Sequence, residues 1–288
     1  MAVDAREIAE LSTGLDALEV PVPPRASRAR RLWRATWPKL LALAIVWAIW
    51  QFLYAIEWKP HYVFPSPGQA VQSIFDNWSV ISTAIRNTLG RAVYGYALAL
   101  ALGVTVGGLV ARNKILRAAI GSMITGLQTM PSVAWFPAAL LLFQFKDAAI
   151  IFVVVMGAAP SIANGLISGI DNISPVLLRA GQVMGARRFT AFRTVILPAA
   201  MPTFIGGLKQ GWAFAWRSLL AGELIVLIPG KFSLGQQLDA SRQLADAPGV
   251  YGMMIVIFVI GVLVDTFVFG YAERKIRTRY GLIDVAAT

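Results

Sequence analysis

The 288-residue chain contains no cysteine and a single histidine. Disulfides, thiolate nucleophiles and Cys-ligated metals are thereby excluded, and so is any site built on several histidines. His61 stands in His-Tyr-Val-Phe-Pro-Ser-Pro, a turn-rich stretch, and reads as a loop residue. Charge is also scarce: 14% of residues are charged, against about 25% in an ordinary soluble domain. Acids are scarcer than bases, with 15 Asp and Glu facing 26 Lys and Arg for a net charge of +11. In a soluble protein that excess would point to nucleic acid. A hydrophobic content of 57% argues against it, and no nucleic-acid partner is expected. Paired carboxylates, a histidine cluster and a nucleophile beside a base are all missing, which removes the membrane-embedded enzyme as a reading. There is no G-x-x-x-x-G-K-[ST] phosphate loop either. Gly230-Lys231 is followed by Phe, and position 225 is Ile rather than Gly. No cofactor or metal is expected in this chain.

What the chain does have is long apolar runs, several of them near the roughly 20 residues that cross a bilayer as helix. Six spans are expected, at 38–56, 88–111, 117–143, 148–170, 198–228 and 251–271. The fold class is therefore all-α, a polytopic bundle of six transmembrane helices. Residues 1–37 carry five acids, six arginines and Pro21-Val22-Pro23-Pro24, and are expected to be a largely disordered cytoplasmic tail ahead of a transmembrane domain over 38–288. No apolar run of signal-peptide type falls within it. The Arg25–Arg34 cluster reads as a topology anchor, with anionic-lipid binding as the sharper alternative. If the N-terminus is inside, the segments 1–39, 112–117, 171–193 and 272–288 are cytoplasmic, and they hold 18 of the 26 Lys and Arg. The positive-inside rule then puts both termini in the cytoplasm. Gly103/Gly107, Gly165/Gly169 and Gly207/Gly211 each place two glycines on one helix face, as close helix packing in lipid requires.

Residues 171–197 form the longest internal cytoplasmic loop. Ser174-Pro175 reads as a helix start, Gly185 as a break, and Arg187–Val195 as a second short helix ended by Leu197-Pro198. Basic on one side and apolar on the other, the pair suits either a protein partner or the lipid interface. The stretch resembles the EAA loop of ATP-binding-cassette importer permeases: Glu-Ala-Ala, three residues, Gly, nine residues, then Ile-x-Leu-Pro. Here the matching residues are Arg179-Ala180-Gly181, Gly185 and Val195-Ile196-Leu197-Pro198, with Arg179 in place of the acid, Gly181 of an alanine and Val195 of the isoleucine. Pro65-Ser-Pro67, Asn87-Thr-Leu-Gly-Arg91, Met130-Pro131-Ser132, Pro198-Ala-Ala-Met-Pro202, Trp216-Arg217-Ser218 and Ala221-Gly222-Glu223 are similar to the nitrate, sulfonate, taurine and bicarbonate branch of those permeases.

The resemblance implies an importer permease in the plasma or inner membrane. ATP would be hydrolysed by separate ATPase subunits docked on residues 174–195, through Arg179, Ala180, Gly181, Gly185, Arg187, Leu197 and Pro198. An extracytoplasmic solute-binding protein would deliver the solute, and a second permease copy would complete the path. Polar groups inside spans are the candidates for lining it, because charge in lipid is costly unless it faces the bundle interior. They are Gln128 beside Met130-Pro131, Lys209, Gln210, Arg217, Glu223 and Asp265. Arg217 offers a planar fork to an oxyanion, or packs against another helix. Lys209, about two turns into its span, can snorkel inward; Asp265 is a candidate partner for a cytoplasmic-half cation, while Glu223, near the outer end of its span, is expected to reach water. Permeases for neutral or cationic heterocycles remain an alternative. An ion-coupled secondary transporter is a more distant one, since no internal repeat is visible.

Overall fold

The computed structural model describes residues 28–280, and the expectation for the tail ahead of residue 28 lies outside them. Helices α1 to α12 and three short non-α turns account for the regular structure, with no strand among the described residues. The chain divides at residue 56 into two units. The first contains α1 (Arg28–Ala55), so residues 28–37, expected within the disordered tail, are helical instead.

The second unit holds everything else. Its helix α2 (Pro67–Asp76) starts at a capping box. The Ser66 hydroxyl accepts the Gln69 N–H at 3.2 Å, and the Gln69 side chain accepts the Ser66 N–H at 2.9 Å. Helix α3 (Trp78–Arg112) begins ten residues before the apolar run at 88. Its first turns mix apolar residues with Ser79, Ser82, Thr83, Arg86 and Asn87, so no unbroken apolar run marks them. Helix α4 (Lys114–Thr129) and the segment 132–143 are not one straight span: they meet at 104°. Met130 is extended (φ −71°, ψ 130°) because Pro131 excludes the helical conformation from the residue before it. A 3₁₀ turn (Ser132–Trp135) then leads into α5 (Phe136–Phe143). The structure thus contains five helices long and apolar enough to cross a membrane, or six if the bent pair counts as one.

Helix α6 (Asp147–Asp171) is the centre of the unit. Ile150, Val153, Val154, Ala158 and Ile162 are completely buried. Its neighbours are α3 and α9 (Leu197–Ile225), and all three expected glycine pairs lie at these contacts. A methyl added at Gly103 would meet the Ala159 carbonyl at 2.8 Å, and one at Gly165 would meet the Gly207 Cα at 2.5 Å. Lipid tails give helices no hydrophobic reason to associate, so backbone approach of this kind supplies the contact. Phe136 joins the same core, while Trp135 and Phe143 pack edge-on and tilted against Phe152.

Between α6 and α9 lie α7 (Pro175–Val183) and the single turn α8 (Arg188–Ala191). Leu197-Pro198 was expected to end that segment; instead the chain stays helical from Phe189 to Ile225. A π-turn at Phe192–Ile196 makes this continuity work, with the Leu197 N–H bonded to the Phe192 carbonyl five residues back. Pro198, next in line, is tolerated because the π-turn widens the backbone where its ring and missing N–H would otherwise break the ladder. After α9 come α10 (Leu234–Gln243), α11 (Ala247–Val264), a second π-turn (Asp265–Phe269) and α12 (Gly270–Arg279).

Candidate functional site

Three places carry chemistry. The first is the helix–Gly–helix segment 174–196. After α7, Gly185 takes φ +84°, and the Ala186 N–H reaches back to the Gly181 carbonyl at 2.9 Å. Gly181 is buried, and a methyl there would sit 2.8 Å from Val195 Cγ2. Two departures from the loop pattern, Gly181 and Val195, therefore touch: the smaller residue makes room for the branched one. Arg179 is exposed and its Nε donates to the Pro175 carbonyl at 3.4 Å, so it braces its own helix. Ala180 and Arg187 are exposed as well. A groove of about 680 Å³ runs past Leu178, Gly181, Ala186, Arg187 and Val195. Val183, Met184 and Phe189 of the same segment are 89%, 79% and 71% exposed.

The second place is one face of α9. Thr203, Gly206, Gln210, Ala213 and Arg217 follow one another at helical spacing, and all are exposed. Arg217, expected to serve an oxyanion or to pack against another helix, has two contacts on its own helix: Nε donates to the Ala213 carbonyl at 3.0 Å, and the guanidinium stacks 4.8 Å over the Phe214 ring. Beside this face Lys209 pairs with Asp265 at 3.1 Å, at the first residue of the second π-turn. Asp265, for which only an unnamed cation partner was expected, thus lies beside Lys209. Gln128 is placed differently: its Oε1 accepts from Asn164 of α6 at 3.2 Å, which ties the end of α4 to the core helix. Met130 occupies the break itself, 40% exposed.

The third place was not foreseen. Glu223 does not reach water; it is 0% exposed. Its carboxylate accepts the Thr88 hydroxyl (2.9 Å), Arg91 Nη1 (2.9 Å) and the Gly235 N–H (3.1 Å). The Thr88 oxygen in turn accepts the Leu234 N–H at 3.0 Å, and Ser233 accepts that of Gln236. The free N–H groups that open α10 are thus satisfied by Thr88, Glu223 and Ser233, and the carboxylate lies at the positive end of that helix. Arg91, 8% exposed, also donates from Nε to Asp147 Oδ1 at 2.8 Å, and Lys231 pairs with Asp147 from the other side. Two cations face two carboxylates, and α3, α6, α9 and α10 meet there. A pair as buried as Arg91–Glu223 costs about 3–5 kcal/mol when one partner is removed. The exposed Lys231–Asp147 pair is worth about 0–1 kcal/mol. The signal was present in the sequence, since Arg91 and Glu223 are opposite charges lying inside separate apolar runs, where an unpaired charge is unfavourable.

Residues 99–278 match the family described as binding-protein-dependent transport system inner membrane component. The putative aliphatic sulfonates transport permease of Bacillus subtilis is 27% identical over 248 residues, covering 84% of this chain and 88% of the relative. The nitrate import permease of Synechococcus elongatus is 27% identical over 232 residues, covering 72% and 80%. Among solved structures, a chain of the inward-facing MetNI methionine ABC transporter superposes with a TM-score of 0.59 at 18% identity, over 70% of this chain and 98% of that one. The shared helices carry the fold, and the matched residues run from within α3 through the segment 174–196 into α12. This chain belongs to the binding-protein-dependent transport system inner membrane component family and is an ATP-binding-cassette importer permease.

Proposed function

We propose that this permease conducts a small anionic solute along the exposed face of α9, driven by ATPase subunits seated on residues 174–196. The observation that carries the proposal is the row Thr203, Gly206, Gln210, Ala213 and Arg217. Polar and charged groups in a membrane-spanning helix, left uncovered by their own chain, belong against a water-filled path or a second permease copy rather than lipid. A homodimer that closes the path between two such faces fits this placement. The oxyanion class, nitrate, sulfonate or taurine, or bicarbonate, fits the guanidinium of Arg217, and two relatives carry nitrate and aliphatic sulfonates in their names. Both termini lie in the cytoplasm in this reading, the solute-binding protein docks at the opposite side, and the coupling segment supplies the ATPase contact.

Uptake per assembled complex tests the path. Arg217→Ala is expected to lower it about tenfold or more and Arg217→Lys by less, since an ammonium keeps the charge but not the planar fork. Both variants should retain their ATPase subunits. Unchanged uptake per complex in Arg217→Ala removes Arg217 from the path.

A further inference from the structure

Residues 226–233 join α9 to α10 at the end of α9 opposite the coupling segment. Two sets of bonds hold their ends, and the Gln236 amide bonds the Ile228 carbonyl at 3.5 Å between them. The inner set is buried: Glu223 with Thr88, Arg91 and the Gly235 N–H, and Thr88 with the Leu234 N–H. The outer set is exposed: Lys231 with Asp147, and Asn87 Nδ2 with the Phe232 carbonyl at 2.7 Å. Lys231 is 55% and Phe232 54% exposed. Gly230, at φ +75° with open space where a side chain would be, sits directly before the outer ties.

We infer that residues 226–233 are a releasable strap, whose outer ties open and close during transport while the inner clasp keeps α10 fixed to α9. The charge arrangement is what makes release cheap. Asp147 is shared, so when Lys231 leaves, the carboxylate is still held by Arg91 Nε, and Lys231 moves into water. No buried charge is left alone. Arg91 also keeps one donor in reserve, because its Nη2 is buried and has no partner among the described residues. The strap's position has a mechanical consequence. Helical chain runs from Phe189 to Ile225 with the strap at its far end, so the strap and the clasp together set how firmly that end is held, and opening the outer ties loosens the hold. The strap is thus a positioning device for the ATPase contact, and this inference rests on the permease reading proposed above.

The chain contains no cysteine, so a pair can be introduced without background. Asn87 reaches Phe232 through the Phe232 backbone carbonyl, so the pair Asn87→Cys and Phe232→Cys flanks the outer tie, and a short reducible bis-thiol-reactive reagent is used to span the two cysteines. The complex of permease and ATPase subunits is reconstituted in liposomes and supplied with solute-loaded binding protein. Cross-linking is expected to cut uptake and stimulated ATP hydrolysis at least tenfold, and reductant to restore both, with neither single-cysteine protein responding. In the untreated complex, Lys231→Gln is expected to raise ATP hydrolysis without binding protein about threefold or more. A cross-linked complex that transports at the reduced rate overturns the strap. So does a Lys231→Gln complex with wild-type hydrolysis and uptake. If the wild-type permease carries no ATPase subunit at all, the permease reading falls and the strap with it.

Discussion

Gly185 shows how one backbone angle can set the shape of the coupling segment. Its φ of +84° lies in the left-handed region, and a side chain there would meet no neighbour. The penalty for replacing it is therefore a matter of local conformation, about 1–2 kcal/mol for a residue with a Cβ and more for a β-branched one. Gly185→Val is expected to insert and fold with its membrane helices intact yet to lose ATPase co-purification or solute-stimulated hydrolysis. Gly185→Ala should fall between it and the wild type. A well-expressed Gly185→Val complex with normal stimulation would show that the turn does not set the docking geometry. This residue was legible in sequence because the requirement is local: a glycine between two short helical patterns. Glu223 was misread for the opposite reason. Its partner Arg91 is 132 positions away, and a one-dimensional reading sees only that Glu223 stands near a helix end. Arg217 was half legible, since its place along α9 could be counted but not the Phe214 ring beneath it.

At the scale of elements, proline and π-turns decide where helices bend and where they continue. Met130-Pro131 bends a span because nothing upstream absorbs the clash, whereas Pro198 is accommodated by the π-turn before it. A bend at Met130-Pro131 was legible from the proline itself, whereas the continuity through Pro198 was not, because the π-turn that permits it leaves no mark in the apolar pattern. Helix α10 shows a different control, by charge. Asp239 accepts two bonds from Arg242, at 3.0 and 2.7 Å, and one from Gln243. The hydrogen bonds from Arg242, with that of Gln243 and the Arg242 charge adding to them, outweigh burial and hold its carboxyl below the usual carboxylate value. The folded state therefore binds this proton less tightly than the unfolded chain. The stabilisation is complete above the ordinary carboxylate range and is lost as pH falls through the lowered value. Amide exchange in residues 234–243 should be independent of this group near neutrality, once the intrinsic rate is removed, and accelerate on acidification. Asp239→Asn should show raised exchange already at neutral pH and no further acid step from this site. An identical pH profile in the two proteins would assign the protection of α10 to the Thr88–Glu223 clasp alone.

For the whole molecule, the distribution of cations makes a claim that the helices by themselves do not. Eighteen of 26 Lys and Arg fall in the segments assigned to the cytoplasm, and the coupling segment is one of them. In intact cells, a cysteine at Ser241 is expected to react with a membrane-impermeant maleimide, and one at Ser174 only after the membrane is opened. The reverse pattern would invert the topology and put the strap, not the coupling segment, beside the ATPase. The bundle was readable in advance because apolar length and glycine spacing are periodic features. The meeting of α3, α6, α9 and α10 at Arg91 was not, because nothing periodic announces which charge in one span answers which in another.

The burial of α6 between α3 and α9 also has a consequence for how the protein is made. During synthesis α3 enters the bilayer first, with the small residues around Gly103 and Gly107 turned toward lipid that cannot fill them. When α6 follows, it covers that side and presents a bare face of its own at Gly165 and Gly169, whose complement at Gly207 and Ala200 is still in the ribosome. The intermediate ending before residue 197 is therefore the stage at which the nascent bundle is least complete. A membrane-insertion chaperone or a quality-control protease would find its clearest mark there, on the helix that in the finished permease packs between α3 and α9.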